Sequence, residues 1–225
     1  MWGRALVLAL SLGVVTAGAA DDPAAPGGYT GLVPGLGVQH HPIATASAEA
    51  QRFFDQGLTL LYGFNHDEAV RAFRRAAALD PRAAMPPWGI AVALGPNINL
   101  DVDPERERAA YAAVQHARTL VARAPRSEQD YVAALVRRYS DDPAADLRRL
   151  SVDYSEAMGV LARRYPDDLD AATLYAESLM DLRPWRLWMA DGTPEEGTET
   201  IVGVLEAVLR RDPQHVGANH YYIHA

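Results

Sequence analysis

The sequence contains no cysteine, and this absence removes several classes of chemistry. Disulfide bonds, thiol catalysis, cysteine-ligated zinc and haem attachment through CxxCH all require this residue. Lysine is absent too, because all 21 basic residues are arginine, and acidic residues outnumber them to give a formal net charge of −8. This negative charge argues against binding to nucleic acid or to an anionic membrane surface.

Motifs for phosphate binding and for serine hydrolysis are also missing. Gly27 and Gly28, like the glycines at 31, 35 and 37, follow no strand pattern and therefore do not form a phosphate-binding loop. No GxSxG elbow occurs. Adjacent carboxylates such as Asp141–Asp142 and Asp167–Asp168 fit turn and helix-cap positions. No motif therefore names a reaction.

Residues 1–20 have the features of a secretory signal peptide. One arginine precedes an apolar run over 5–15, and small residues at 17–20 precede Asp21–Asp22. An uncleaved membrane anchor is the alternative, but the run is short for a span, which needs about 20 residues. The sequence predicts an exported protein, periplasmic or extracellular, that is soluble after cleavage and has no membrane association beyond the export signal.

Residues 21–46 form a leader rich in proline and glycine, and residues 47–225 form the main domain. The leader has no sustained hydrophobic period, so we expect it to be extended. The main domain has a helical pattern almost throughout, and the expected helix stops recur at nearly equal intervals, at Pro81, Pro125, Pro166 and Pro213. This spacing predicts helical pairs over 47–63 and 66–79, 83–95 and 104–123, 127–139 and 143–164, and 168–182 and 194–211, with a ninth helix from about 214.

The first pair carries a nearly complete tetratricopeptide (TPR) pattern, with apolar, small and proline residues at the expected slots: Phe53, Gly57, Leu60, Ala69, Phe73, Ala76 and Pro81. The later pairs keep the residue volumes only roughly. One hairpin cannot bury its own apolar face, so it implies stacked neighbours. The predicted fold is all-α, a right-handed TPR-like helical-hairpin solenoid of about four pairs plus a truncated ninth helix.

Three segments resemble a group of exported bacterial TPR-containing proteins without an assigned activity: residues 64–81, 85–99 and 219–224. The resemblance covers roughly residues 35–225 and implies a fold and an exported location, but no reaction. Members of the group usually continue with further helical pairs and another histidine-bearing segment. We therefore expect the solenoid to continue beyond Ala225.

His220 and His224 are four residues apart in a predicted helix, so their rings project from one face and can chelate one metal ion. Position 221 is not glutamate, which disfavours a zincin protease. His66 could join them if the stack curls tightly, together with Asn97, Asn99, Glu177 and Asp181. Such a set would suit zinc or copper, although packing and helix capping explain the same residues and no cofactor is the default expectation. His40–His41 could add ligands if the leader folds back.

The leading functional prediction is a non-enzymatic scaffold that binds a protein or peptide partner in its concave groove. The first helix of each pair would line the groove, including Phe54, Trp88 and Tyr175, and the loop with Trp185 and Trp188 would form one rim. The same loop could instead cover the edge of the stack. The alternatives are a metal-binding protein or metal-dependent enzyme, and a purely structural assembly module.

Overall fold

The computed structural model describes residues 31–100 and 103–225 of the 225-residue chain, so the predicted signal peptide lies outside the described residues. Within these ranges the chain forms nine α-helices, two short 3-10 helices and two isolated β-bridges, but no strand. The all-α prediction is thereby confirmed. No helix of this described part is both long and apolar enough to cross a bilayer.

The helices follow one another with short connections. They are α1 (Ala48–Tyr62), α2 (His66–Leu79), α3 (Met85–Leu94), α4 (Pro104–Leu120), α5 (Arg126–Leu135), α6 (Leu147–Arg164), α7 (Leu169–Met180), α8 (Thr198–Arg211) and α9 (Val216–His224). The 3-10 helices Val121–Arg123 and Val136–Arg138 extend α4 and α5. The predicted order and number of helices agree with this arrangement.

Two helices begin later than the sequence pattern predicts. The α6 helix was expected from 143, but the Asp146 carboxylate accepts a hydrogen bond from the Arg149 backbone N–H and starts it there. The α8 helix was expected from 194. Its proposed first turn instead closes the preceding loop, where the Glu195 N–H donates to the Leu187 carbonyl at 2.9 Å. Gly197 then precedes the helix with φ 90°, a conformation that favours glycine.

Side-chain caps define the other helix starts near the leader. The Ser47 hydroxyl accepts from the Ala50 N–H, and Asp168 accepts from the Ala171 N–H. The α9 helix is capped unusually, because the buried His215 ring nitrogen Nδ1 accepts from the backbone N–H of the third residue on. An accepting Nδ1 carries no proton, so Nε2 of this neutral ring is the protonated nitrogen.

Each helix contacts its neighbours in the chain, and alternate helices also meet: α1 with α3, α3 with α5, and α7 with α9. In addition α1 contacts α9, so the stack curls until distant helices touch. The concave side is consequently filled. The Phe54 and Trp88 rings are 6.5 Å apart, and Tyr131 packs edge-on against Trp88 at 5.3 Å.

This curvature corrects one part of the groove prediction. Phe54 is fully buried and Trp88 is 2 % exposed, so both predicted binding residues belong to the hydrophobic core. An open rod would have left these rings facing a groove. The tight curl instead brings aromatic residues of the first helices together, where burying them stabilises the fold by removing apolar area from water.

Close helix crossing depends on two glycines that face Phe73. A Cβ added at Gly57 in α1 or at Gly89 in α3 would lie 2.6 Å from the Phe73 ring. Phe73 itself is fully buried. One ring is thus seated between two helices, each of which has a glycine at the point of closest approach.

A buried ion pair joins the third and fourth helical pairs. Arg138 Nη2 donates to Asp181 Oδ2 and to the Pro96 carbonyl, both at 2.7 Å, and its guanidinium lies 4.9 Å from the Tyr154 ring centroid. Glu177 is also buried, and burial, reinforced by the Asp181 charge, raises its pKa well above the ordinary value. Burial thus favours the neutral form of Glu177, while Asp181 is the carboxylate that pairs with Arg138.

Candidate functional site

Residues 31–46, the described part of the leader, fold back over the helices rather than extending away from them. His40 Nδ1 lies 2.8 Å from Asp55 Oδ2, and the Ala44 N–H donates to Glu128. The Thr45 hydroxyl donates to Asp80 at 2.7 Å. These contacts satisfy backbone and side-chain groups of a segment that has no helix or strand of its own. His40 and His41 therefore lie close to polar groups of the helices, as the sequence analysis required for them to act as ligands.

Asp170, near the start of α7, is the centre of this contact. Its Oδ2 lies 2.8 Å from His41 Nδ1, and its Oδ1 accepts from the Tyr62 hydroxyl at 2.6 Å and from Gln39 Nε2 at 2.9 Å. The protonated His215 Nε2 lies 3.3 Å from the same Oδ1, although it is not aligned for a hydrogen bond. One buried carboxylate thus holds the leader, α1 and α9 together.

Opposing effects set the ionisation of the His41–Asp170 pair. Burial alone would lower the pKa of His41, but its hydrogen bond to Asp170 and that residue's charge outweigh burial and raise it above 6.5. Burial alone would raise the pKa of Asp170, but the nearby His215 ring and the hydrogen bonds with His41 and Tyr62 lower it below 3.8. The pair is therefore ionised more readily than either group would be alone.

Asp168 completes a group that is able to hold a metal ion. Ligand atoms of His41, Asp168 and Asp170 all lie within 4.8 Å of one another, and in the described ranges this is the only group of three such residues found. Asp168 Oδ1 accepts from the Ala171 N–H at 3.0 Å and Oδ2 accepts from the Tyr131 hydroxyl at 2.8 Å. A carboxylate offers about four lone pairs, so both oxygens keep one free.

The group lines an open cleft of about 1060 Å³. Leader residues 37–42, the start of α5 and the α6–α7 and α8–α9 connections form its walls. Five carboxylates face one arginine there: Glu128, Asp167, Asp168, Asp170 and Asp212, with Arg164. Glu128 is 4 % exposed, its Oε2 has no hydrogen-bond partner, and burial raises its pKa. The excess of carboxylates over arginine suits the cleft to a cation.

The cleft lies at the connections between helical pairs, where the proline stops occur, and Pro166 is part of its wall. The sequence prediction placed the site at the other connections, those within each pair. It interpreted Asp168 as a helix cap. Asp168 does cap α7, but it also belongs to the group of three. The prediction did not select Asp170, Glu128 or Tyr131. The two aspartates of Asp168–Leu169–Asp170, which come shortly after the helix stop at Pro166, could have indicated this site.

The predicted metal ligands are distributed over separate contacts. His220 Nε2 lies 3.1 Å from His224 Nε2. His66 Nε2 instead lies 3.1 Å from Asn97 Nδ2, while Asn97 Oδ1 accepts from the Asn99 N–H. Burial, and then the charge of Arg106, lower the pKa of His66 to about 4. Of the other two predicted ligands, Asp181 forms the ion pair with Arg138, and Glu177 is buried next to it.

The remaining predicted partner-binding residues lie at or near the surface. Trp185 is 66 % exposed and Trp188 is 47 % exposed, in the loop between α7 and α8. Tyr175 is half-buried because its ring packs over Gly159, where a Cβ would lie 2.9 Å away. Trp185 also packs edge-on against His224 at 5.4 Å. The loop therefore covers part of the stack's edge and still exposes two indole rings.

The His41–Asp170 pair predicts a specific pH dependence. Because the folded pKa of His41 is raised above 6.5, its contribution to stability is complete below 6.5 and is lost as pH rises through the folded value. Because that of Asp170 is lowered below 3.8, its contribution is present above 3.8 and is lost on acidification. We expect the stabilisation from this pair to be greatest between these limits and to fall above pH 6.5.

Urea unfolding at pH 5.5, 7 and 8.5 measures this effect. His41→Gln keeps a donor for Asp170 but does not titrate, so the decline above pH 6.5 should be smaller in this variant. His116→Gln, at an exposed histidine on α4, should decline as the parent protein does. Equal pH profiles for parent and His41→Gln would contradict the assignment.

Comparison with known proteins identifies no relative of this chain. No protein-family model, curated protein or solved structure matches the chain significantly. The fold and the cleft therefore supply the observations on which a function is proposed.

Proposed function

We propose that this protein is a metal-binding helical-repeat protein that holds a divalent cation at His41, Asp168 and Asp170. The observation that carries the proposal is the placement of their three ligand atoms within 4.8 Å of one another at the wall of a cleft of about 1060 Å³. The excess of carboxylates around the cleft attracts a cation to it.

The donor set favours zinc among the common ions. One imidazole nitrogen with two carboxylate oxygens matches the ligand types of zinc sites, whereas magnesium and calcium prefer oxygen alone. Three protein ligands beside an open cleft leave a coordination position for water or for a bound molecule. That arrangement is typical of catalytic zinc, while structural zinc is closed by four protein ligands.

The hydrogen bonds around the group would hold it ready for the ion. The Tyr62 hydroxyl and Gln39 fix Asp170, and the Tyr131 hydroxyl fixes Asp168. Partners of this kind orient metal ligands and raise affinity. The TPR-like class of the stack and export of the protein are parts of the same proposal, supported by the repeat pattern and by the signal-like residues 1–20.

Asp168→Asn tests the proposal with little disturbance of the fold. Asparagine caps a helix as well as aspartate does, so α7 should keep its start. We expect the parent protein to bind about one equivalent of zinc, and Asp168→Asn to weaken binding at least about tenfold, since loss of even a supporting partner costs that much. Isothermal titration and elemental analysis measure both quantities.

Asp167→Asn is the matched control. Asp167 lines the same cleft but its side chain is 95 % exposed and paired with Arg211, outside the group of three. Its replacement should leave zinc affinity nearly unchanged. Equal affinity of the parent protein and Asp168→Asn, or no saturable uptake by the parent, would refute the proposed site.

A second candidate function is the docking of a protein or peptide partner on the α7–α8 loop. Trp185 and Trp188 are exposed there beside Met189, which is 49 % exposed, and indole rings are frequent binding hot spots. Because the concave side is filled by buried rings, the partner would dock at the rim of the stack and not in the groove. The zinc titration separates the two candidates, because a docking surface alone predicts no stoichiometric ion.

A further inference from the structure

His220 and His224 form a close pair on α9, outside the cleft. Their Nε2 atoms are 3.1 Å apart, and both rings are half-buried against Phe64, with ring centroids 4.5 and 5.5 Å from it. Phe64 has φ 56°, a conformation unusual for a residue with a side chain. Backbone hydrogen bonds at the end of α1 pass through this residue and its neighbours, including Asn65 N–H to the Leu60 carbonyl at 2.9 Å.

The protonation of His220 follows from its second contact. Its Nδ1 is hydrogen-bonded to the backbone carbonyl of Tyr62, the last residue of α1. A carbonyl can only accept, so Nδ1 carries the proton and Nε2 of the neutral ring has a free lone pair. Metal-binding histidines commonly have this arrangement, with the second nitrogen donating to a carbonyl that fixes the ring.

The spacing fits two ligands of one ion. With metal–nitrogen bonds of about 2.0–2.1 Å, two adjacent nitrogens of an octahedral or tetrahedral ion lie about 2.8–3.4 Å apart. We propose that His220 and His224 chelate a late first-row transition ion through their Nε2 atoms, with Cu²⁺ bound most tightly because it heads the affinity order for nitrogen ligands. The site is independent of the zinc proposal.

His66 is not a third ligand of this site. The Phe64 ring stacks on His66 at 5.6 Å and lies against both α9 histidines, and His66 Nε2 is already paired with Asn97. The chelate therefore has two protein ligands and leaves the other positions to water. Burial lowers the pKa of His224 below its ordinary value.

Trp185 provides the readout. Its ring centroid lies 5.4 Å from that of His224, so a paramagnetic Cu²⁺ ion on the pair should quench its fluorescence. Full-length protein carrying Asp168→Asn is titrated with Cu²⁺ alone, so that failure of the cleft proposal cannot produce or remove the signal. Saturable quenching is expected, and Trp185→Phe should remove most of it.

His220→Gln and His224→Gln test the ligands, with circular dichroism as the check that each variant folds. Each should raise the half-saturating Cu²⁺ concentration at least about tenfold, whereas His116→Gln at the exposed α4 histidine should not. Zinc should compete and restore fluorescence. Unchanged quenching in both α9 variants, or no saturation in the parent, would show that the two rings share only an N–H···N hydrogen bond.

Discussion

Replacing Arg138 with methionine is expected to lower the free energy of unfolding by about 3–5 kcal/mol at pH 7. The side chain is 3 % exposed, and its partner Asp181 is 6 % exposed. Removing the guanidinium leaves the Asp181 carboxylate buried without a counterion, and the Pro96 carbonyl loses a donor. Urea denaturation followed by circular dichroism measures the loss.

Acid and a second substitution should both relieve this loss. A protonated Asp181 needs no counterion, so the difference between Arg138→Met and the parent should shrink as pH falls. Adding Asp181→Asn to Arg138→Met should recover part of the stability for the same reason. Arg137→Met, at the exposed neighbouring position, should change stability by less than about 0.5 kcal/mol. A loss of that small size in Arg138→Met would mean that the buried pair contributes nothing.

Phe73→Ala should have a comparable effect, about 3–5 kcal/mol, because it removes a fully buried ring from between α1 and α3. Gly57→Ala should also destabilise the protein, since its Cβ would lie 2.6 Å from that ring. In the Phe73→Ala background the obstacle is gone. There Gly57→Ala should stabilise the protein, because alanine favours a helix over glycine by about 0.8–1 kcal/mol.

The reversal of sign is the decisive observation in this double-mutant cycle. Gly203→Ala in α8 is the control, because nothing lies within 4 Å of a Cβ at this exposed position. It should stabilise both backgrounds equally. If Gly57→Ala has the same sign with and without the ring, steric contact with Phe73 is not what requires glycine here.

The helices could be predicted from the sequence because their signals are local. The prolines that end helices, and the capping residues that begin them such as Ser47 and Asp168, act on the backbone within one helical turn. The sequence pattern places the starts of α6 and α8 too early, because the residues that look like helix caps there form turns. In α8 the decisive contact is with Leu187, outside the helix.

The cleft could not be predicted in the same way. His41 and Asp170 are 129 positions apart and meet only because the stack curls and the leader folds back. Neither the curvature of the stack nor the path of the leader produces a repeating pattern in the sequence. The i, i+4 pair on α9 was recognisable because helix geometry alone places His220 and His224 together. The same curvature buried Phe54 and Trp88, which an open stack would have displayed.

Contact between α1 and α9 affects how this stack of helices should melt. Tyr62 of α1 is bonded to α9 through its carbonyl, which contacts His220, and to α7 through its hydroxyl, which donates to Asp170. In an open array each unit depends only on its nearest neighbours, and the terminal units can fray separately. Here loosening α1 also removes a support of α9, so the described helices should unfold as one cooperative unit with a single transition.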